Sequence, residues 1–138
     1  MRTYVETEVF SRAELALFRR ATAIVRRLPG KLGAGYVRCH EVARALQRLL
    51  GLHKSCVADG WYGMVDHSWL WTTPREPLSP PPNVLDVYAV GRLPPVVLVS
   101  SSSWLPFEYR RGDMRKDIDL AVVRKLVNFG KGKDLKNE

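Results

Sequence analysis

Cysteine is scarce in this chain: two in 138 residues, Cys39 and Cys56, with no closely spaced pair. That excludes a disulfide framework, a CxxC zinc knuckle and a CxxC redox motif, and it fits a reduced, cytoplasmic setting. Long apolar runs are missing too. The longest, such as residues 94–99, fall far short of the roughly 20 residues that cross a bilayer, so no membrane partner is expected. Residues 1–10 carry Arg2, Glu6 and Glu8 and no continuous apolar stretch, which argues against a secretory signal peptide. No internal repeat occurs. Acidic residues are outnumbered, fourteen Asp and Glu against twenty-two Lys and Arg, for a formal net charge of +8. Such a charge attracts nucleic acid, anionic membranes or an acidic protein partner without selecting among them. Much of it lies in residues 19–27, 110–116 and from 131 onward, where solvated helix faces and ends account for it. No RNP, KH or zinc-finger pattern supports nucleic-acid binding.

What is present is a 46% hydrophobic chain of one-domain length, able to bury a core without staples. Residues 1–130 read as that domain and residues 131–138 as a basic tail. Ser11-Arg12-Ala13-Glu14 is a capping box, and Leu17, Ala21, Ile24 and Leu28 follow at helical spacing until Pro29-Gly30. A second helix starts near Cys39, with Val42, Leu46, Leu49 and Leu50 as its apolar stripe and Gly51 suited to its end. Four strands are expected after it, at residues 53–59, 65–72, 84–90 and 96–100. The break at residues 73–83 holds five prolines and reads as a long ordered loop, a candidate lid over the cleft. Residues 104–109 fit either a short strand or a loop carrying aromatics. Residues 117–127 form a last helix, with basic residues toward its end as the macrodipole favours. Helices first and antiparallel strands after give an α+β architecture: N-terminal helices packed on an antiparallel sheet, and a C-terminal helix.

Chemistry-bearing residues fall on these elements in a suggestive order. Cys39 opens a helix, where free amides and the positive dipole end lower a thiol pKa. A cysteine nucleophile also needs a base, held in orientation by a third group. Alternation puts His67, Trp69 and Trp71 on one face of their strand, and Val84, Asp86 and Tyr88 on one face of the next. Antiparallel pairing would make His67 and Asp86 cross-strand neighbours. A carboxylate within the apolar run Val84-Leu85-Asp86-Val87-Tyr88 is costly unless paired, which independently calls for a His or Arg beside it.

In this order the residues resemble the transglutaminase-like and papain-like cysteine peptidases. Tyr36-Val37-Arg38-Cys39 leads into a helix ending at Leu50, Cys56-Val57-Ala58-Asp59-Gly60 is a strand with a small-residue end, His67-Ser68-Trp69 follows, and Asp86 sits in its apolar strand. The match spans residues 36–90 and is similar to small bacterial transglutaminase-like peptidases, including those that mature ribosomally made peptides. The resemblance implies a papain/transglutaminase-like fold and a catalytic triad of Cys39, His67 and Asp86. That triad would act on an amide, isopeptide or thioester bond of a peptide or protein, by hydrolysis or acyl transfer. The Cys39 N–H would be one oxyanion donor. The chain departs from the pattern in two places: the residues before Cys39 include no Gln or Trp as a second donor, and the proline-rich insertion is longer.

Trp61-Tyr62-Gly63, in the turn before the His67 strand, and Trp69 are the aromatic candidates for a substrate-binding wall; core packing is the plainer role for several of these rings. Cys56 reads as an inward-pointing strand residue. His40 points about 100° away from Cys39 around the helix and reads as a surface or pocket-rim residue. His53 and Cys56, with Cys39, His40 or His67, match no common zinc-ligand spacing, and no metal or cofactor is expected. Two other function classes fit the same residues. One keeps the papain-like fold without catalysis, as an effector or inhibitor holding an acidic partner; Cys39 reactivity separates it from the enzyme. The other is a basic nucleic-acid-binding module, distinguished by salt-dependent binding to unrelated DNA or RNA.

Overall fold

The protein, seen in a computed structural model, is described at residues 10–76, 78–79, 82–87, 95–100, 109–112 and 117–132. The first helix, α1 (Arg12–Val25), opens on the capping box: Glu14 N–H donates to Ser11 Oγ at 3.1 Å, and Ser11 N–H donates to Glu14 Oε1 at 3.0 Å. It stops earlier than the periodicity predicts, yet Leu28 still reaches the core from the turn beyond. A two-residue hairpin follows, β1 (Lys31–Leu32) and β2 (Gly35–Tyr36). Helix α2 (Cys39–Leu50) begins at Cys39 itself and ends at Gly51, whose φ of 71° is the left-handed conformation a glycine adopts without strain. The last helix, α3 (Leu120–Gly130), starts a few residues later than expected, where the Asp119 carboxylate accepts the N–H groups of Ala121 and Val122.

Between α2 and α3 runs a five-stranded antiparallel sheet of β3 (Val57–Tyr62), β4 (Val65–Trp71), β5 (Val84–Val87), β6 (Val96–Val99) and β7 (Tyr109–Arg111), in the order β6-β5-β4-β3-β7. The architecture is therefore α+β, three helices and an antiparallel sheet among the described residues. Two expectations are corrected here. Residues 53–56 are not strand: His53 Nδ1 accepts the Ser55 N–H, which bends Lys54–Cys56 into a 3-10 turn, and β3 starts only at Val57. The strand then runs on through Trp61 and Tyr62, so the turn before β4 is Gly63-Met64, with Gly63 at φ 61°. The choice left open around residue 109 resolves as an edge strand, β7. Tyr88, residues 89–94 and 101–108, and the tail from residue 133 lie outside the described residues.

The helices cover one face of this sheet. Leu70, Leu85, Val87, Val96 and Leu98 point into a core shared with Ala21, Val25, Val42, Leu46 and Leu126 of the helices. Fully burying a Leu such as Leu46 contributes about 2 kcal/mol, so this layer accounts for much of the driving force. The opposite face carries Ala58, Trp69, Trp71, Val84 and Tyr109, packed with Cys56 as a second cluster. Gly60 is there because β7 passes close over β3: a Cβ at Gly60 would lie 2.0 Å from the Arg110 carbonyl oxygen.

The proline-rich connection leaves from the end of β4 remote from His67. Its neck is closed by Thr72 N–H to Asn83 O at 2.9 Å, and both Thr72 Oγ1 and Asn83 Nδ2 donate to Glu14 Oε2. Four residues of strand lie between that neck at Thr72 and His67, a rise of roughly 17 Å. The loop base is thus fastened to α1, at the end of β4 away from His67. No helix among the described residues is long and apolar enough to cross a membrane.

Candidate functional site

Cys39 is the first residue of α2, partly exposed, and Arg38 at the N-cap contributes no capping side chain, so the positive end of the helix is turned on Cys39. His67 lies on β4 with 12% of its side chain exposed. Its Nε2 donates to Asp86 Oδ1 at 2.7 Å, and the Cys39 side chain lies beside the same imidazole. With Nε2 taken by Asp86, Nδ1 is left for the sulfur. Burial opposes the imidazolium, but the bonds to Asp86 and Cys39, and the negative charge both can carry, outweigh it and hold the His67 pKa up at about 10.

Asp86 exposes no surface, and its second oxygen, Oδ2, accepts the Tyr109 hydroxyl at 2.7 Å. The strand geometry explains how the pair meets. Hydrogen-bonded pairing between β4 and β5 covers only Leu70↔Leu85 and Trp71↔Val84. Continued in the same register, Asp86 would face Trp69 and stand diagonal to His67, a separation that two extended polar side chains bridge. Trp69 stacks on His67, ring centroids 6.1 Å apart and 22° between planes, and Tyr109 meets Trp69 edge-on at 5.2 Å. The imidazole is therefore fixed by a carboxylate at one end and an aromatic plane behind it.

The three aromatic candidates separate. Tyr62 shares the His67 face, is 38% exposed and has its ring 6.0 Å from the imidazole. Trp61 points to the other face, under the Arg110 guanidinium and against Gly112, because β3 extends through it and alternation turns it away from His67. Trp69 is 1% exposed and serves as the backing of His67 rather than an open wall; its indole N–H has no partner among the described residues.

No protein-family model, curated protein or solved structure matches this chain. The chemistry of the site is read from its own atoms. A thiol at a helix start, an imidazole beside it and a buried carboxylate on the far imidazole nitrogen are the kinds of group from which a nucleophile, a base and an orienting residue can be built. Cys56 differs in every respect: it is buried against the second cluster, and desolvation pushes its thiol pKa up. Among the described residues no three His, Cys, Asp or Glu side chains converge to hold a metal.

Two residues at the site escape sequence reasoning. Tyr109 reaches Asp86 across 23 positions of chain, and nothing in its local pattern announces that reach. His40 is not at the surface or a pocket rim: it is 3% exposed, with Nδ1 2.7 Å from Ser68 Oγ and Nε2 2.9 Å from Asp66 Oδ2. Helix α2 lies flat on β3 and β4, so the residue after Cys39 is driven into the sheet. On the outer side of the same helix turn, Arg38 grips the buried Glu41 with two guanidinium nitrogens, and Glu41 also accepts the Asp119 N–H at 3.0 Å. A cavity of about 560 Å³ opens there, with Leu32, Tyr36, Val37, Arg38, Ile118 and Val122 among its lining.

Proposed function

We propose that this chain is a thiol hydrolase or acyl-transferase with a papain/transglutaminase-like fold, acting on an amide, isopeptide or thioester carbonyl of a peptide or protein. The observation that carries the reading is the imidazole of His67 held between the Cys39 side chain and the buried carboxylate of Asp86. Cys39, as the thiolate paired with the protonated His67, attacks the carbonyl carbon and forms a C–S bond. The Cys39 backbone N–H and the dipole of α2 support the oxyanion. His67 then gives its proton to the leaving amine or thiol as the tetrahedral intermediate collapses to a thioester. Water or an acceptor amine, deprotonated by His67, attacks the thioester, and the C–S bond breaks to release the acyl product and restore the Cys39 thiolate beside the protonated His67. Asp86 keeps the imidazole in orientation throughout. The chemistry requires no metal or cofactor. The cavity beside Arg38, one residue before the nucleophile, supports a bound acyl segment with apolar side chains. A reduced compartment such as the cytoplasm would keep the thiol available.

The test is the pH dependence of iodoacetamide labelling at Cys39 and Cys56, read by peptide mass spectrometry. Cys39 is expected to react fast below pH 7 in the wild type. In His67→Ala it should slow at pH 6.5 by roughly a hundredfold, to the thiolate fraction of an ordinary thiol of pKa near 8.5. A Cys39 that labels like an ordinary thiol, or ignores the substitution, would leave a binding protein in place of an enzyme.

A further inference from the structure

Residues 39 and 40 are adjacent on α2, and residues 66, 67 and 68 are adjacent on β4. Cys39 meets His67, while His40 meets both residues that flank His67, Ser68 through Nδ1 and Asp66 through Nε2. Strand alternation puts Asp66 and Ser68 on the helix-covered face and His67 on the other, so His40 spans the segment that carries the imidazole from behind. We infer that His40 is a positioning residue that sets the approach of Cys39 to His67. The inference rests on the thiolate reading of Cys39 proposed above.

The bracket is closed on itself. The Ser68 hydroxyl donates to Asp59 Oδ1, so its oxygen is free only to accept from His40 Nδ1–H. Arg44, one turn along α2, donates to both Asp59 oxygens at 3.1 and 2.8 Å and to the His40 carbonyl at 3.1 Å. Hydrogen bonds thus run from α2 to β3, to β4 and back to α2. Ser68 and Asp66 are two residues apart, roughly 7 Å along the strand, and an imidazole is a rigid ring with polar atoms at both ends to span them. Arg44 and Asp59 hold the helix to the sheet one turn away from Cys39; His40 alone among these groups is next to the nucleophile in sequence and bonded to both neighbours of the base. A slide of α2 along β4, or a rotation about its axis, breaks the His40 bonds and the Cys39–His67 contact together.

A purely structural role would lower stability without altering the thiol, so the test reads the thiol. Cys39 alkylation by iodoacetamide is followed against pH in the full chain, with thermal midpoints, for wild type, His40→Ala, His40→Gln, Ser68→Ala and Leu46→Ala. His40→Ala is expected to move the acid limb of Cys39 labelling toward that of an ordinary thiol, a loss of about ten- to a hundredfold at pH 6.5. Ser68→Ala, which removes one arm of the bracket, should move it the same way by less. His40→Gln, whose amide still offers a donor toward Asp66, should recover part of the loss. Leu46→Ala opens a cavity in the same helix–sheet interface and should keep the wild-type profile at a comparable drop in midpoint. A wild-type profile in folded His40→Ala and Ser68→Ala overturns the inference, as does a Leu46→Ala shift as large as that of His40→Ala. A wild type with no fast labelling below pH 7 overturns the thiolate reading itself, whatever the His40 variants do.

Discussion

Asp86 is buried, and His67 Nε2 lies 2.7 Å from its Oδ1. An isolated carboxylate in such a place would cost far more than a folded domain of this size can spare, and it would protonate instead. Its persistence as a hydrogen-bond acceptor depends on His67 and on the Tyr109 hydroxyl together. The two partners differ in kind: His67 supplies opposite charge, Tyr109 a neutral donor.

Removing the carboxylate therefore strands the imidazole. Asp86→Ala is expected to destabilise the fold by about 3–5 kcal/mol, the usual effect of deleting one member of a buried pair. Asp86→Asn should preserve packing but lower the His67 pKa. Urea denaturation reads the first effect and the ¹⁵N shifts of the imidazole the second; an unchanged His67 titration in Asp86→Asn would remove Asp86 from its orienting role.

The raised His67 pKa makes stability depend on pH in a defined direction. Because the folded value, about 10, lies above the ordinary 6.5, the folded state binds the proton more tightly than the unfolded chain. Its contribution is complete below pH 6.5 and fades as pH rises through 10. The stability difference between wild type and His67→Gln should accordingly be largest at pH 6 and shrink toward pH 10.5. NMR at pH 8 should find both ring nitrogens of His67 protonated.

Tyr109→Phe deletes a 2.7 Å bond to a buried carboxylate while keeping the ring that packs on Trp69 and Tyr62. The expected cost is about 1.5–3 kcal/mol, the range for hydrogen bonds to charged groups, measured by equilibrium unfolding. A change below about 0.5 kcal/mol would mean that another donor takes the place of the hydroxyl.

Gly60→Ala tests the close passage of β7 over β3. The new methyl would sit 2.0 Å from the Arg110 carbonyl oxygen, so β7 must move, and Tyr109 with it; about 1–3 kcal/mol of stability should be lost. Gly35→Ala is the control, since its methyl meets nothing closer than 3.9 Å. Equal thermal midpoints for the two variants would contradict the strand arrangement.

Acid should loosen the junction of α2 and α3. Burial alone would raise the Glu41 pKa, but Arg38 and the Asp119 N–H hold it below the usual 4.5. This contribution is present above pH 4.5 and disappears as pH falls through the lower folded value. Asp59, gripped by Arg44, has its pKa lowered in the same way and adds to the slope. Glu41→Gln is expected to lose about 3 kcal/mol at neutral pH and to show a flatter acid limb in denaturant titrations than wild type.

The local signals in this chain were easy to read where they act over one turn or one strand. The Ser11 and Glu14 capping box, the start of α2 at Cys39 and the glycine after Leu50 depend on backbone groups only three or four residues away. The approach of His67 to Asp86 was legible for a related reason: their strands are consecutive and antiparallel, and a buried Asp in an apolar run demands a partner. Trp61 shows where such reading fails. Extending β3 by three residues beyond the expected end moved Trp61 from a turn to the far face, since each added strand residue alternates sides.

The sequence by itself determined which residues are apolar, where the first two helices start and that His67 and Asp86 would run on neighbouring strands, because propensity, capping and alternation are short-range. Only the tertiary structure decided that Tyr109 buttresses Asp86 from an edge strand, that His40 lies inside against Asp66 and Ser68, and that the proline-rich loop is tied to Glu14. Those contacts join residues 23 to 69 positions apart. Such contacts depend on how helices and strands pack in space, and no period in the chain encodes that packing.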